Sequence, residues 1–147
     1  MATIEESIVI GRSREDIRTF LRDPGNQPVW QSNMDKFAKL DEGDPKKGTR
    51  YLGISRVAGR RVEWTAEISE WDDVEFYELR AIESPVGWTL RFDFEEVADG
   101  TRVTMHQELA PFERYFGKLA DPLVTRMYSR DVKGNLEKLK DILESEL

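Results

Sequence analysis

The chain has 147 residues, of which 35% are charged and 39% hydrophobic, and its formal net charge is −7. That length suits one domain with a sizeable core, which we expect residues 1–147 to form. The negative charge disfavours nucleic acid and anionic membranes as partners, because both require a concentrated positive field. Stable membrane insertion is not expected either, since no stretch approaches the roughly 20 apolar residues of a membrane span.

The sequence contains no cysteine, which excludes disulfides, thiolate metal sites and cysteine nucleophiles. The first ten residues are acidic, and their apolar run is too short for a signal peptide, so a cytoplasmic location is the default expectation. One histidine and acids that we place on a solvent-facing surface argue against a metal site. We therefore expect neither a metal nor a cofactor.

The N-terminal part of the chain predicts one strand and two short helices. Residues 3–10 have a strand pattern, and Ser13 is a good N-cap for the helix that follows, with Asp16 three positions later. The DPG stretch at 23–25 ends this helix. Pro28 suits the first turn of a second helix, because its missing N–H would be unpaired there. Trp30 follows directly, although a bare surface loop rarely contains a tryptophan.

Between about residues 36 and 110 the hydrophobic pattern has period two, which is typical of strands. Six strands are predicted, at roughly 36–41, 49–57, 61–71, 74–83, 87–97 and 101–110. The connections between them are short, and short connections join antiparallel neighbours. A single antiparallel sheet is the expected result.

The last segment, from about Phe112 to Glu146, has helical periodicity. Pro122 predicts a break or kink near Ala120 and Asp121. The helix after Pro122 would then run for about 25 residues, or nearly 40 Å. A helix of that length with one apolar stripe requires a broad partner surface, which the sheet would provide.

The register of the last hairpin predicts which face of the sheet is apolar. A two-residue turn at Asp99–Gly100 places Phe94 opposite Met105 on one face and Asp93 opposite His106 on the other. One face is then apolar and the other charged, as a half-buried sheet requires. His106 is the only histidine and the obvious candidate for a general base. Its place on the charged face argues against catalysis.

The same reasoning applied to the earlier strands favours a three-residue loop at 58–60. This loop pairs Ile54 with Trp64 and Arg56 with Val62, whereas a two-residue loop would mix the two faces. The predicted apolar face comprises Leu52, Ile54, Val62, Trp64, Ala66, Ile68, Tyr77, Leu79, Trp88, Leu90, Phe92, Phe94, Met105 and Leu109. Incomplete filling of the space above it would leave a cavity for an apolar ligand. Complete filling would make it an ordinary core, and periodicity does not report volume.

The order of these elements, together with the stretches DPGNQPVWQSN, GTRY, VEWTAEISEWDD, DGTRVTMHQEL and DVKGNLEKLKDILE, resembles a known family. It is the polyketide cyclase/dehydrase-like branch of the START/Bet v 1 (SRPBCC) superfamily, and the resemblance covers essentially the whole chain. It implies an α+β helix-grip fold. In that fold a seven-stranded curved antiparallel sheet wraps around a long C-terminal helix, with two short helices between strands 1 and 2 and a hydrophobic cavity inside. Family members bind or transform lipids, sterols, polyketides, aromatic compounds or quinones.

Nine residues are predicted to line such a cavity: Trp30, Met34, Arg56, Trp64, Tyr77, Trp88, Phe92, Gln107 and Met127. The resemblance implies that the Trp30 indole points inward with Met34 nearby, and the alternative is that it plugs the helix pair against the sheet. Gln107 offers a donor and an acceptor either to a ligand or to a neighbouring side chain. Tyr77 is either a ligand contact or a core tyrosine. Arg56 either meets a ligand carboxylate at the cavity mouth or is a surface residue.

The leading functional prediction is the binding of a small hydrophobic molecule, such as a lipid, a polyketide or an aromatic metabolite. One alternative is a polyketide cyclase or dehydratase, in which Tyr77, Gln107 or Arg56 would polarise a carbonyl or move a proton. The catalytic residues of the family differ between branches, so the resemblance assigns none here. Another alternative is a protein-interaction module of the same fold. A homodimer is compatible with the sequence.

Overall fold

A computed structural model describes residues 2–57, 59–110 and 121–145. Seven strands form one curved antiparallel sheet in the order β1-β7-β6-β5-β4-β3-β2, and the helices pack on one of its faces. The strands are β1 (Ala2–Ile10), β2 (Met34–Lys39), β3 (Arg50–Val57), β4 (Arg60–Trp71), β5 (Phe76–Glu83), β6 (Trp88–Val97) and β7 (Gly100–Leu109). The predicted helix-grip fold is confirmed.

The segment between β1 and β2 forms the predicted short helices. Helix α1 (Arg14–Arg22) is capped by Ser13, whose Oγ accepts a hydrogen bond from the Asp16 N–H at 3.1 Å. A 3₁₀ turn (Pro24–Asn26) follows, and α2 (Gln27–Trp30) carries Pro28 in its first turn. The capping and turn residues therefore begin and end the helices where local chemistry predicts.

The C-terminal helix α3 (Asp121–Ser145) lies across the sheet and packs on β1. It buries Val132, Leu136, Leu139 and Leu143, which recur at helical spacing. The predicted helical residues 112–120 and Glu146 lie outside the described residues. Pro122 is in the first turn of α3, where proline is tolerated. Within the ranges that the structure describes, no helix is long and apolar enough to cross a bilayer.

The β6–β7 hairpin differs from its predicted register by two residues. Phe94 lies opposite Val103 rather than Met105, because the turn consists of residues 98–99 and Gly100 already belongs to β7. Gly100 has φ +139, and a Cβ atom there would lie 2.1 Å from the Ile10 carbonyl oxygen. The glycine is thus required by the close approach of β1. Since a shift of two residues preserves the faces, His106 still lies on the outer face, with its Nδ1 3.1 Å from Glu5.

The β3–β4 register corrects a prediction. Val57 pairs with Arg60, so Gly53 lies opposite Trp64 and Ser55 opposite Val62. The connection therefore has two residues rather than three, and its first residue, Ala58, lies outside the described ranges. A shift of one residue turns every β3 side chain to the other face. The predicted inward positions Leu52 and Ile54 therefore face away from Trp64.

A bulge in β4 places one further aromatic residue on the helix-covered face. The β4–β5 register shifts between Ile68 and Glu70, after which Trp71 lies opposite Tyr77. The extra residue in the bulge lets both Ile68 and Trp71 face inward, although they are an odd number of positions apart. The Trp71 and Tyr77 ring centroids are 5.6 Å apart.

Candidate functional site: a cavity between sheet and helices

A cavity of about 90 Å³ lies between the helix-covered face of the sheet and the three helices. Six of the nine predicted lining residues surround it, namely Met34, Trp64, Tyr77, Trp88, Phe92 and Gln107. The Trp64 and Trp88 rings are perpendicular with centroids 5.0 Å apart, and Tyr77 stacks on Phe92 at 4.9 Å. These aromatic pairs give the cavity a wall that suits an apolar ligand.

Trp30 points inward but is not among the residues that line the cavity, which agrees with the second of its two predicted roles. Its side chain is fully buried at 0% exposure. The ring packs edge-on against Phe92, with centroids 6.2 Å apart, and its Nε1 donates a hydrogen bond to the Gln27 Oε1 at 3.1 Å. Helix α2 thus places the indole behind the cavity wall, where it plugs the helix pair against the sheet.

Arg56 and Met127 are also not among the lining residues. The one-residue shift in β3 turns Arg56 to the outer face, where its Nε lies 3.1 Å from Asp35. Met127 is 42% exposed. On an α-helix Tyr128 is about 40° from Val132 around the axis, whereas Met127 is about 140° away. Tyr128 and Val132 accordingly face the cavity in its place.

The register shift brings Tyr51, Ser55 and Val57 into the cavity wall. The Trp64 indole lies over Gly53, where an added Cβ would be 2.0 Å from its Cζ2, and its Nε1 donates to the Ser55 Oγ at 3.0 Å. A glycine within a strand pattern indicates close approach of another group. Gly53 therefore indicates the observed register, whereas the apolar pattern of β3 favours the one-residue alternative.

A polar cluster forms one part of the wall. The Tyr128 hydroxyl lies beside the Gln107 and Asn33 side chains, whose amides are placed to donate to its oxygen, and the Asn135 Nδ2 donates to the Asn33 Oδ1 at 3.2 Å. Burial raises the pKa of Tyr128, and the two hydrogen bonds partly oppose that shift. The phenol therefore remains protonated at neutral pH and can donate a hydrogen bond. Gln107 lies next to Tyr128 in this cluster, and it also lines the cavity, so both of its predicted roles stay open.

A second group of polar residues lies where the cavity approaches the surface. Arg18 of α1, which the sequence pattern did not single out, lines both the cavity and an outer cleft of about 420 Å³. Arg22, Pro45 and Trp71 are shared in the same way. In the sequence, Arg18 is a charged residue that directly follows Ile17 on the apolar face of α1. That position could have indicated a buried arginine. The four shared residues place the cleft directly beside the cavity.

Two tyrosines of the cavity wall are expected to make the protein less stable at alkaline pH. Burial raises the pKa of Tyr51 from 10.0 to about 12 and also raises the pKa of Tyr77. The unfolded chain loses these protons near pH 10 while the folded chain keeps them, so stability present below pH 10 is lost as the pH rises. We expect each tyrosine to lower the free energy of unfolding by about 1.4 kcal/mol per pH unit above that point.

Urea unfolding between about pH 9 and 11 measures this slope, and tyrosinate absorbance reports the titration. The variants Tyr51→Phe and Tyr77→Phe should each reduce the slope of unfolding free energy against pH by the contribution of the tyrosine that is replaced. Exposed lysines titrate equally in all three proteins, so the difference in slope isolates the tyrosines. Identical slopes in the wild type and both variants would contradict the expectation.

Residues 1–144 match the family described as polyketide cyclase / dehydrase and lipid transport. Among curated proteins none matches the sequence. A structure from Thermus thermophilus superimposes with a TM-score of 0.84 at 18% identity over 98% of each chain. The Zhui aromatase/cyclase from Streptomyces sp. R1128 gives 0.80 at 15% identity over 97% of this chain and 93% of its own. A START superfamily protein from Mycobacterium smegmatis gives 0.80 at 12% identity over 99% of each. At these identities the likeness concerns the fold.

Proposed function

Because this chain belongs to the polyketide cyclase/dehydrase and lipid transport family, we propose that it binds a small hydrophobic ligand between its sheet and helices. The ligand would be a lipid, a polyketide or an aromatic metabolite. The observation that carries the proposal is the aromatic wall of the cavity, which includes Trp64, Trp88 and Phe92 and adjoins the outer cleft at Arg18.

The size of the ligand is limited by the volume available. Pockets for drug-sized molecules have about 300–1,000 Å³, whereas the cavity here has about 90 Å³. The outer cleft adds about 420 Å³. A ligand of ordinary metabolite size would therefore occupy both, or would move side chains of the wall apart as it enters.

A cavity-blocking substitution tests this proposal. Val62 is 6% exposed and lines the cavity, so Val62→Phe would place a phenyl ring in the space that a ligand needs. We expect affinity for the neutral fluorophore N-phenylnaphthylamine to fall at least about tenfold, since about 1.4 kcal/mol of lost contact has that effect. Energy transfer from the tryptophans to the bound probe gives the dissociation constant.

The matched control is Val29→Phe, which makes the same change at a side chain that is 48% exposed. It should leave probe affinity unchanged. Equal loss of affinity in both variants, or in neither, would contradict binding in the cavity. A wild-type protein that binds no apolar probe, and carries no small molecule in native mass spectrometry, would favour a protein-interaction role instead.

A cyclase or dehydratase is the second candidate, favoured by the protonated Tyr128 phenol in the wall. A phenol that donates to a carbonyl oxygen would polarise it for attack by a carbon nucleophile. Gln107 and Asn33, whose amides are placed to donate to the Tyr128 oxygen, would hold it in position. Mass spectrometry of the molecule recovered from the complex distinguishes the two candidates. After incubation with a linear polyketide, unchanged mass and retention time support binding alone, whereas an isomer of equal mass (cyclisation) or loss of one water (cyclisation with dehydration) supports the enzyme.

A further inference from the structure

Arg18 is a buried cation at the boundary between the cavity and the outer cleft. The residue is 2% exposed, although it belongs to a short surface helix. It lines both spaces, together with Trp71. Arginine is almost never fully buried unless it is paired, because transfer of a charge out of water is costly. The burial of Arg18 therefore requires neighbouring groups that stabilise its charge.

The hydrogen bonds of Arg18 leave part of its guanidinium without a partner. Nη2 donates to the Asp72 carbonyl oxygen at 2.6 Å, whereas Nη1 has no hydrogen-bond partner among the described residues. The Asp72 carboxylate accepts instead from the backbone N–H groups of Val74, at 3.0 Å, and Glu75, at 2.6 Å. Within those residues, no ion pair joins Arg18 to a carboxylate.

Aromatic rings surround the guanidinium instead. Its Cζ lies 4.7 Å from the ring centroid of Trp71 and 5.1 Å from those of Tyr77 and Phe94. Ring faces stabilise a cation but accept none of its in-plane N–H groups. Arg18, Trp71 and Tyr77 all line the cavity, so the unpartnered Nη1 belongs to a side chain of the cavity wall.

We propose that Arg18 binds the carboxylate of an amphipathic ligand whose apolar body occupies the cavity. The two oxygens of a carboxylate match the planar fork of a guanidinium. The Tyr77 ring contacts both Arg18 and Phe92. It therefore lies between the proposed carboxylate site and the aromatic wall that would hold the apolar body. This inference rests on the proposed function and specifies its ligand as an apolar acid, with a chain or a ring system as its body.

Matched acids and alcohols test the assignment. Octanoic acid with octanol, and naphthoic acid with naphthylmethanol, compare a charged with a neutral head on an aliphatic and on an aromatic body. At neutral pH we expect the wild type to bind at least one acid about tenfold or more tightly than its alcohol, as a charge-assisted pair would give. In Arg18→Met this acid preference should fall to about one, while the alcohol still binds. Calorimetry measures all four affinities, and the body that binds identifies the ligand type.

Arg14→Met is the matched control, since it removes the same charge from the same helix. Arg14 pairs with Glu96 at 3.4 Å, is not among the lining residues, and should leave the acid preference intact. Thermal unfolding checks the fold of each variant. Where Arg18→Met does not fold, Arg18→Gln retains an amide donor near the Asp72 carbonyl and gives the same readout.

The outcomes separate the two proposals. Wild-type protein that binds alcohols and acids equally, or Arg18→Met that keeps the acid preference, would overturn the assignment of Arg18 and leave cavity binding in place. If none of the four probes binds although N-phenylnaphthylamine does, the assignment of Arg18 fails and cavity binding stands, and if that fluorophore does not bind either, both proposals fail. A loss of preference in both Arg18→Met and Arg14→Met would show a general charge effect and would also overturn the assignment.

Discussion

Replacement of Trp30 by alanine is expected to lower the free energy of unfolding by about 3–5 kcal/mol, the range for large aromatic residues deleted from a core. Trp30 is fully buried, and its edge packs against Phe92 in the cavity wall. The alanine variant would leave an empty space behind that wall, which neighbouring side chains fill only in part. Urea unfolding of the wild type and the variant measures the difference.

Two further variants keep the Trp30 experiment interpretable. Val29→Ala alters the adjacent, 48% exposed residue of α2 and should cost less than about 0.5 kcal/mol. Trp30→Phe retains a ring but removes the N–H that donates to Gln27, and should cost about 1–2 kcal/mol. The stability of Trp30→Phe shows whether residue 30 belongs to the core even if the alanine variant does not fold. A loss below about 1 kcal/mol for Trp30→Ala would contradict its role as a core plug.

Gly53→Ala is expected to destabilise the protein by about 2–3 kcal/mol, although alanine normally favours a strand over glycine. The added Cβ would lie 2.0 Å from the Trp64 Cζ2 and 2.3 Å from its Cη2. The indole cannot simply swing aside, because Trp88 packs against it at 5.0 Å and its Nε1 is bonded to Ser55. Chemical unfolding gives the size of the loss.

Gly134→Ala is the matched control for Gly53. It lies in α3, where nothing beyond its chain neighbours and the backbone of its own helix lies within 4 Å of the added Cβ, so Gly134→Ala should stabilise the helix by about 0.5–1 kcal/mol. A double variant with Trp64→Leu isolates the contact, since leucine lacks the three indole atoms that would lie within 2.4 Å of the added Cβ. Gly53→Ala should cost at least about 1 kcal/mol less in that background. An equal cost in both backgrounds would show that the indole is not the obstacle.

The two hairpin registers show how far periodicity carries a prediction. The β6–β7 register was wrong by two residues, yet Phe94, Met105 and His106 all lie on their predicted faces. The β3–β4 register was wrong by one residue, and every β3 side chain was assigned to the wrong face. The reason is the two-residue repeat of a strand, in which even shifts preserve the faces and odd shifts exchange them.

The error in β3 came from treating large apolar side chains as the only guide to the interior. Tyr51 and Ser55 face the cavity, while Gly53 between them leaves room for the Trp64 indole. Space filled by a residue on the next strand leaves no trace in the periodicity of β3 itself. The same limitation applies to Arg56, whose predicted place at the cavity mouth followed from the wrong register.

The sequence by itself determined the order of the elements, the antiparallel connections, the cap of α1 and, apart from Trp71 after the β4 bulge, the inward faces of β4 to β7. These features depend on interactions between residues that are close in the chain, and such interactions leave caps, turns and periodic patterns. Only the tertiary structure decided the volume of the cavity, the burial of Trp30 and the setting of Arg18 between Trp71 and Tyr77. Those features depend on distances between elements far apart in the chain and on how side-chain volumes fill the space between them, which no local pattern records.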